Sequence, residues 1–316
     1  MRGLKVGLSP AVAHYFVLLW TRPERYATYT LGMQQEDTEV IKKSGEKVRF
    51  SRAKLEHSLL SSGADAPTVE QIMNRVRDDL YQGISTEEIY KKAFAMLLKK
   101  ERHFAAKYRL KKALHELGPT GFPFEHFVGE LMKASGYRTQ VGVVVPGACV
   151  DHEVDVLAQK DGAFTPVECK FHREEGMPCN VKVPLYIHAR FNDIQANWAA
   201  RHPHESVLKP GWVVTNTRFT SDAQRYGHCA GMYLLSWNYP EGESLKARID
   251  RLGLYPVTVS TLLNYKEKQD LLGRKVVLCT QVLSDESVLQ ELGISPTRSQ
   301  KICAEMNQLC THDPRS

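Results

Sequence analysis

Apolar and polar residues alternate with a period of two across residues 151–172, near the middle of the chain. Such alternation is typical of β-strands with one buried face. The predicted inward positions are Val154, Val156 and Ala158 in a first strand and Val167, Cys169 and Phe171 in a second. Residues 160–162, Lys-Asp-Gly, predict the turn between the two strands. The opposite face then carries Asp155 on the first strand and both Glu168 and Lys170 on the second.

Residues 121–135 follow the period of a helix instead. Their apolar positions form one stripe, made of Phe124, Phe127, Val128 and Leu131. Gly136 stands where a helix commonly ends. Glu125 lies beside the stripe and is our candidate for an acid that faces the strands, with Glu130 as the alternative.

The pattern after the two strands predicts an α/β domain with a mixed sheet and helices on its faces. The predicted elements are a helix at 185–201, a strand at 212–215, a helix at 221–229 and a strand at 232–237. Gln195, on the first of these helices, is a weak candidate for a polar residue near the site, because a surface glutamine is the commoner explanation. The residues from about 244 onward predict further helices.

The segment before this domain predicts a small hairpin followed by helices. The hairpin turns at Ser44 and Gly45. Three helix starts are predicted by capping signatures, at Ser51, at Thr68 with Gln71, and at Ser85 with Glu88. The chain is therefore divided into an extension at 1–36 expected to be poorly ordered, a mostly helical domain at 37–117, an α/β domain at 118–243 and a helical C-terminal region at 244–316.

Composition places the chain among ordinary globular proteins, with 316 residues, of which 42% are hydrophobic and 25% are charged. The net charge of +6 permits a polyanionic partner without requiring one. Seven cysteines without regular spacing favour reduced thiols, and so a cytoplasmic protein rather than a disulfide framework. The apolar run at 11–20 is too short to cross a membrane.

Two acids and a lysine on one face of a hairpin suit the hydrolysis of a phosphodiester. Carboxylates such as Asp155 and Glu168 are hard oxygen ligands of the kind that Mg²⁺ prefers. Lys170 could orient the attacking water or offset charge that develops on the phosphate. The competing interpretation is a hairpin with a solvated charged face.

Residues 118–237 resemble the PD-(D/E)xK nuclease superfamily, in particular its Mrr-type restriction endonuclease branch. That family carries a helix with an acid, strands with Asp and Glu-x-Lys, and then a helix and another strand. The resemblance implies a restriction-endonuclease-like fold in which Asp155 and Glu168 bind the metal, Lys170 is catalytic and Glu125 is an auxiliary acid.

One departure from the family lies just before the first acid. Mrr-type enzymes commonly have a glycine-rich run there, whereas residues 149–155 of this chain are Cys-Val-Asp-His-Glu-Val-Asp. It stays open whether Asp151 or Glu153 also contributes to the site.

Residues 39–117 are similar to the ATP-cone domain, a nucleotide-sensing module of ribonucleotide reductases. The matching residues are Val40, Lys42, Lys43, Gly45, Phe50, Lys54, residues 84–89, Tyr108 and Arg109. The resemblance implies that Lys42, Lys43 and Lys54 bind the phosphates of ATP or dATP and that Val40 borders the base. Departures such as Lys43, where the family prefers arginine, leave the choice of nucleotide open. Without the resemblance, these lysines would be interpreted as a solvated hairpin face.

Together the two resemblances predict a Mg²⁺-dependent DNA endonuclease regulated by ATP or dATP. One alternative is a DNA-binding regulator that senses nucleotide and does not cleave. Another is a junction resolvase with the same chemistry, which would act on branched DNA as a two-fold dimer. A homodimer or a higher homo-oligomer is compatible with each of these functions.

Overall fold

The computed structural model describes residues 38–201 and 207–311, and their contacts divide the chain into two compact units. The first unit comprises residues 38–60 and 65–93, and the second comprises residues 61–64 and the described residues from 94 onward. The predicted extension at 1–36 lies outside the described residues. The first unit ends at residue 93, inside a helix, so the contacts group the last part of the 37–117 segment with the residues that follow it.

The first unit contains a small three-stranded sheet and the helices that follow it. Its elements are β1 (Glu39–Ile41), β2 (Lys47–Arg49), α1 (Arg52–Leu60), α2 (Ala66–Asp78), β3 (Ile84–Ser85) and the first half of α3 (Thr86–Lys100). The strand order is β2-β1-β3, with β1 and β2 antiparallel and β1 and β3 parallel. The predicted hairpin is confirmed, and Gly45 provides the positive φ of +81° in its turn.

The helix starts of this unit are capped as predicted at two places out of three. The hydroxyl of Ser51 accepts a hydrogen bond from Lys54 N at 3.3 Å, and that of Ser85 accepts one from Glu88 N at 3.0 Å. The predicted capping box at Thr68 is wrong, because α2 begins two residues earlier. Asp65 is the cap there, and its carboxylate accepts the N–H of Thr68 at 3.1 Å.

The second unit is a mixed α/β structure, as the sequence predicts. Its elements are α4 (Arg102–Tyr108), α5 (Leu110–His115), α6 (Phe122–Ala134), β4 (Arg138–Pro146), β5 (Asp151–Lys160), β6 (Ala163–Lys170), α7 (Lys182–Arg201), β7 (Val207–Leu208), β8 (Trp212–Thr215), α8 (Ser221–Cys229), β9 (Tyr233–Leu235), α9 (Leu245–Leu252), a 3₁₀ turn (Val257–Val259), α10 (Tyr265–Gly273), α11 (Cys279–Ser284), α12 (Ser287–Glu291) and α13 (Pro296–Cys310). The strand order is β4-β5-β6-β8-β9, and β7 pairs with β6. The first three strands are antiparallel, whereas β6, β8 and β9 are parallel.

Each face of this sheet is covered by a separate hydrophobic core. On one face, α5, α6 and the C-terminal helices pack against Val156, Ala158, Val167 and Val214. On the other face, α7 and α8 pack against Val145, Val154, Leu157 and Val213. The covering of both faces explains the short apolar runs of β8, Trp-Val-Val-Thr, and β9, Tyr-Leu-Leu.

In the middle of the pairing of β4 with β5, the side chains switch from one face of the sheet to the other. The sequence predicts that Val154 and Val156 share a face, and this is wrong: Val156 belongs to the α6 core and Val154 to the α7 core. The register is the same on both sides of the change, so no residue is inserted. The switch occurs at the pair between them, Gly142 and Asp155. Gly142 has a φ of +65°, a backbone conformation that glycine adopts readily.

Within the described residues, no helix combines the length and the apolar character that crossing a lipid bilayer requires.

Candidate active site

Asp155 lies where the ladder between β5 and β6 ends. The last paired residues are Val156 and Val167, and beyond them the two strands separate. Asp155 Oδ2 bridges the gap by accepting a hydrogen bond from Cys169 N at 2.6 Å. Burial raises the pKa of the Asp155 carboxyl, against the opposing effect of this N–H donor. The carboxylate is therefore fixed in position at the point where the sheet opens.

Glu168, on the neighbouring strand, forms an ion pair with an arginine of α7. Arg190 Nη1 donates to Glu168 Oε2 at 2.8 Å, and Nη2 donates to the backbone carbonyl of Glu153. Both side chains are 15% exposed. Burial and the nearby charge of Asp155 raise the pKa of Glu168 to about 7 in spite of the arginine. Glu168 therefore takes up a proton more readily than a free glutamate does, even beside the arginine.

Glu125 approaches the same region from the first turn of α6. Burial, Asp155 and Glu153 together raise the pKa of Glu125 to about 7. Repulsion of this kind requires short distances between the carboxylates. The alternative acid, Glu130, instead pairs with Lys133 at 2.7 Å. The raised pKa of Glu125 and the ion pair of Glu130 therefore favour Glu125 as the acid near Asp155.

Lys170 ends β6 and is exposed to solvent. Among the described residues it forms no ion pair, but its positive charge lowers the pKa of both Asp155 and Glu168. It therefore lies near the two acids with its ammonium group available to an incoming anion.

The donor set fits a small divalent cation. Across residues 38–201 and 207–311, no three His, Cys, Asp or Glu side chains are gathered closely enough to hold a metal by themselves. Asp155 Oδ1 and Glu168 Oε1 accept no hydrogen bond from this part of the chain, while the other oxygen of each is engaged. Mg²⁺ is commonly held by one or two carboxylates and completes its shell with water. The pair therefore fits Mg²⁺ in charge and in donor type.

Comparisons with known proteins match three stretches of the chain. The family profile described as "ATP cone domain" matches residues 38–117, the profile "Restriction endonuclease" matches residues 119–237, and the profile "AF1548-like, C-terminal" matches residues 255–310. An uncharacterised protein of Archaeoglobus fulgidus is 34% identical over 184 residues, which are 58% of this chain and 99% of that protein. The chain belongs to the AF1548-like family.

A solved structure is also similar to this AF1548-like chain. Its title is "Crystal Structure of Protein of Unknown Function AF1548", and it is 31% identical with a TM-score of 0.50. The match covers 60% of the present chain and 98% of that one. The predicted order of domains, an ATP cone followed by an Mrr-type nuclease domain, is confirmed by the profiles.

Arg190 lies at the candidate site, and the sequence analysis assigned it no role. Gln195, the weak candidate on the same helix, is exposed. Arg190 lies three residues after buried Ile187 and four before buried Ile194, so it borders the apolar stripe of α7. A charged residue beside such a stripe needs a partner on the opposite surface. The position of Arg190 beside the stripe can be recognised in the sequence, but its partner Glu168 cannot.

The helix that carries this arginine is also tied to the turn between β4 and β5. Asp193 accepts hydrogen bonds from Cys149 N at 2.9 Å and Val150 N at 3.3 Å, and His152 Nε2 lies 2.8 Å from its carboxylate. These contacts, His152 first, lower the pKa of Asp193. A Cβ on Gly147 would lie 2.0 Å from Asp193 Oδ2, so the turn has no room for a side chain. Asp193 thereby fixes the start of the strand that carries Asp155.

The predicted nucleotide-binding residues occupy two kinds of environment in the first unit. Lys42, Lys43 and Lys54 are exposed, and Lys42 pairs with Glu46 at 2.9 Å. Their charge fits a polyphosphate. Val40 is only 3% exposed, between Val48 and Ile84 in the sheet, so the geometry gives a base contact at Val40 no support.

Proposed function

We propose that this protein is a divalent-metal-dependent DNA endonuclease whose ATP cone binds ATP or dATP and regulates cleavage. The observation that carries the proposal is the position of Asp155 and Glu168 on neighbouring strands next to the exposed Lys170, with one oxygen of each carboxylate accepting no hydrogen bond from the described residues. Burial raises the pKa of both acids. Clusters of acids with raised pKa values are common at catalytic sites.

The side chains divide the chemistry among themselves. A cation held by Asp155 and Glu168 would supply electrophilic activation of the phosphodiester. Lys170 Nζ would donate to a non-bridging phosphate oxygen and stabilise the charge that develops there. The pKa of Glu125, near 7, would let its carboxylate accept a proton at neutral pH.

Regulation would start at the hairpin of the first unit. The side chains of Lys42 and Lys43 are exposed in the turn after β1, and that of Lys54 is exposed on α1, where their ammonium groups would bind the phosphates of the nucleotide. No Walker A sequence is present in the chain, which favours a regulatory nucleotide over one that drives a motor.

Nicking of supercoiled plasmid in Mg²⁺ tests the proposed activity. We expect wild type to cleave, and Asp155→Asn, Glu168→Gln and Lys170→Ala each to lose at least about 100-fold in rate, because the two acids would hold the cation and the lysine would stabilise the phosphate. Glu130→Gln is the matched control on the adjoining helix and should keep the wild-type rate. The assay is repeated with ATP and with dATP to detect regulation.

A wild type that binds DNA and cleaves no plasmid, methylated DNA or branched DNA would contradict the proposal. It would favour the regulator that clamps DNA without cutting it. Cleavage restricted to branched DNA would instead favour the resolvase.

A further inference from the structure

We propose that Arg190 is a phosphate-binding residue of this nuclease, held on Glu168 until a cation and a DNA strand enter the site. The inference rests on the proposed function and adds to it a cation supplied by α7. It also assigns an order to the events, since Glu168 changes its partner before Arg190 contacts DNA.

The contacts of Arg190 leave most of its hydrogen-bonding capacity unused. A guanidinium has five N–H donors in a fixed planar fork. Two of them are engaged within the described chain, one with Glu168 Oε2 and one with the carbonyl of Glu153. The remaining donors can serve a phosphate, to which arginine binds with two parallel hydrogen bonds. The carbonyl contact can hold the fork in place when the carboxylate is released.

The charges at the site favour a contact between Arg190 and the substrate. The acids that influence one another at the site are Glu125, Glu153, Asp155 and Glu168. The cations that act on them are Arg190 and Lys170. A phosphodiester is itself an anion and would approach an excess of negative charge. A divalent cation on Asp155 and Glu168 offsets that excess, and the guanidinium is then the second positive side chain beside Lys170.

The same balance predicts competition between Arg190 and the metal. The guanidinium already compensates Glu168, so a cation arriving at Glu168 meets a like charge within a few ångströms. The arginine can keep its contact with the Glu153 carbonyl when it releases Glu168, and its Cζ also lies 5.6 Å from the ring centroid of Tyr186. That ring is 65% exposed and marks a path from the site to solvent.

Calorimetric titration with Mg²⁺ or Mn²⁺ in the absence of DNA tests the competition. We expect Arg190→Gln to bind the metal about tenfold more tightly than wild type, because a repelling charge is removed and Glu168 is released. Arg190→Lys keeps the charge and should bind the metal within about twofold of wild type. Arg201→Gln, which removes an exposed arginine from the end of the same helix, is the matched control and should not change the affinity.

Binding of a short DNA duplex at saturating Ca²⁺, followed by fluorescence anisotropy at several salt concentrations, tests the phosphate contact. We expect Arg190→Gln to weaken binding about tenfold and to reduce the slope of log affinity against log salt by about 0.9, which is the loss of one phosphate contact. Arg201→Gln should leave the slope unchanged. A merely structural arginine would not change the slope.

The outcomes separate this inference from the proposed function. If wild type cleaves DNA but Arg190→Gln binds the metal no more tightly and keeps the salt slope, the inference is wrong and the nuclease stands. Tighter metal binding together with a reduced slope supports it. If wild type binds neither metal nor DNA, both the nuclease and the role of Arg190 are overturned.

Discussion

At the scale of single residues, one carboxylate in the second unit stands between two buried cations. Arg109 donates to Glu116 at 2.6 Å and 2.8 Å and to the carbonyls of residues 258–260. Lys268 reaches Glu116 at 3.5 Å and is 6% exposed. Arg109 matches a residue of the ATP-cone pattern, and its contacts here join the start of α5 to Glu116 and to the 3₁₀ turn at 257–259.

Removing the carboxylate of Glu116 should lower the free energy of unfolding far more than removing the ammonium group of Lys268. We expect Glu116→Gln to lower the free energy of unfolding by about 3 kcal/mol, because two buried cations lose their counter-charge. Lys268→Met should change it by less than about 1 kcal/mol, since Arg109 still compensates Glu116. Urea unfolding measures the change in both variants. Glu291→Gln, at an exposed ion pair, is the control and should lower the free energy of unfolding by about 0.5 kcal/mol. Equal losses for Glu116→Gln and Lys268→Met would contradict this.

Lys268 also predicts a dependence of stability on pH. Burial and the neighbouring Arg109 lower the pKa of Lys268 to about 8 in the folded protein, against about 10.4 for a free lysine. The unfolded chain therefore binds more protons between these values, so the contribution of Lys268 to stability rises with pH across this window. The difference in unfolding free energy between wild type and Lys268→Met should shift in favour of wild type from pH 8 to pH 10. A constant difference would refute this assignment.

At the scale of elements, the sequence predicts what is periodic. The helix around residues 121–135 and the strand at 212–215 were predicted within a residue or two, because a stripe or an apolar run identifies each locally. The switch of faces at Gly142 and Asp155 was missed, because a prediction from alternation assumes that every second side chain stays on the same face along the whole strand. Arg190 was missed for a different reason, since its partners Glu168 and Glu153 are distant in the chain.

Gly142 can be tested for its role in the change of face. Gly142→Ala has free space around its Cβ but a φ of +65°, so we expect a loss of about 1–2 kcal/mol from backbone strain alone. Because Gly142 lies opposite Asp155, metal affinity should fall as well. Gly273→Ala, near the end of α10 with open space and no positive φ, is the control and should stabilise by up to about 1 kcal/mol. Thermal unfolding and calorimetry measure the pair, and equal effects would contradict the role.

At the scale of the whole molecule, the proposal joins a nucleotide-binding unit to a nuclease unit in one chain. The profile for the ATP cone extends to residue 117, whereas the contacts assign residues from 94 onward to the nuclease unit. The helices α4 and α5 thus lie within the ATP-cone match and within the second unit at once. This shared segment could be found only from the contacts, because each profile and each periodicity describes one stretch of sequence.

We expect Lys42→Ala with Lys43→Ala to weaken ATP binding at least about tenfold, since two cations are lost from the phosphate contact. Any effect of ATP on the cleavage rate should disappear at concentrations that saturate wild type. Calorimetry and plasmid nicking measure the two effects. Lys47→Ala with Lys91→Ala is the control, because it removes two exposed cations from the same unit. Equal affinities for wild type and the Lys42 and Lys43 variant would exclude the assigned phosphate site.

The packing of α5 has a consequence for how such a protein can be recombined. Leu110, Ala113, Leu114 and Leu117 are fully buried or nearly so in the core that α6 also lines. A cut at residue 117, where the profiles meet, would expose that apolar surface on one fragment and leave a hollow in the other. Gene shuffling at the sequence boundary would therefore yield two defective pieces. An ATP cone from another protein could replace this one only if its last helices filled the space that α5 occupies in this core.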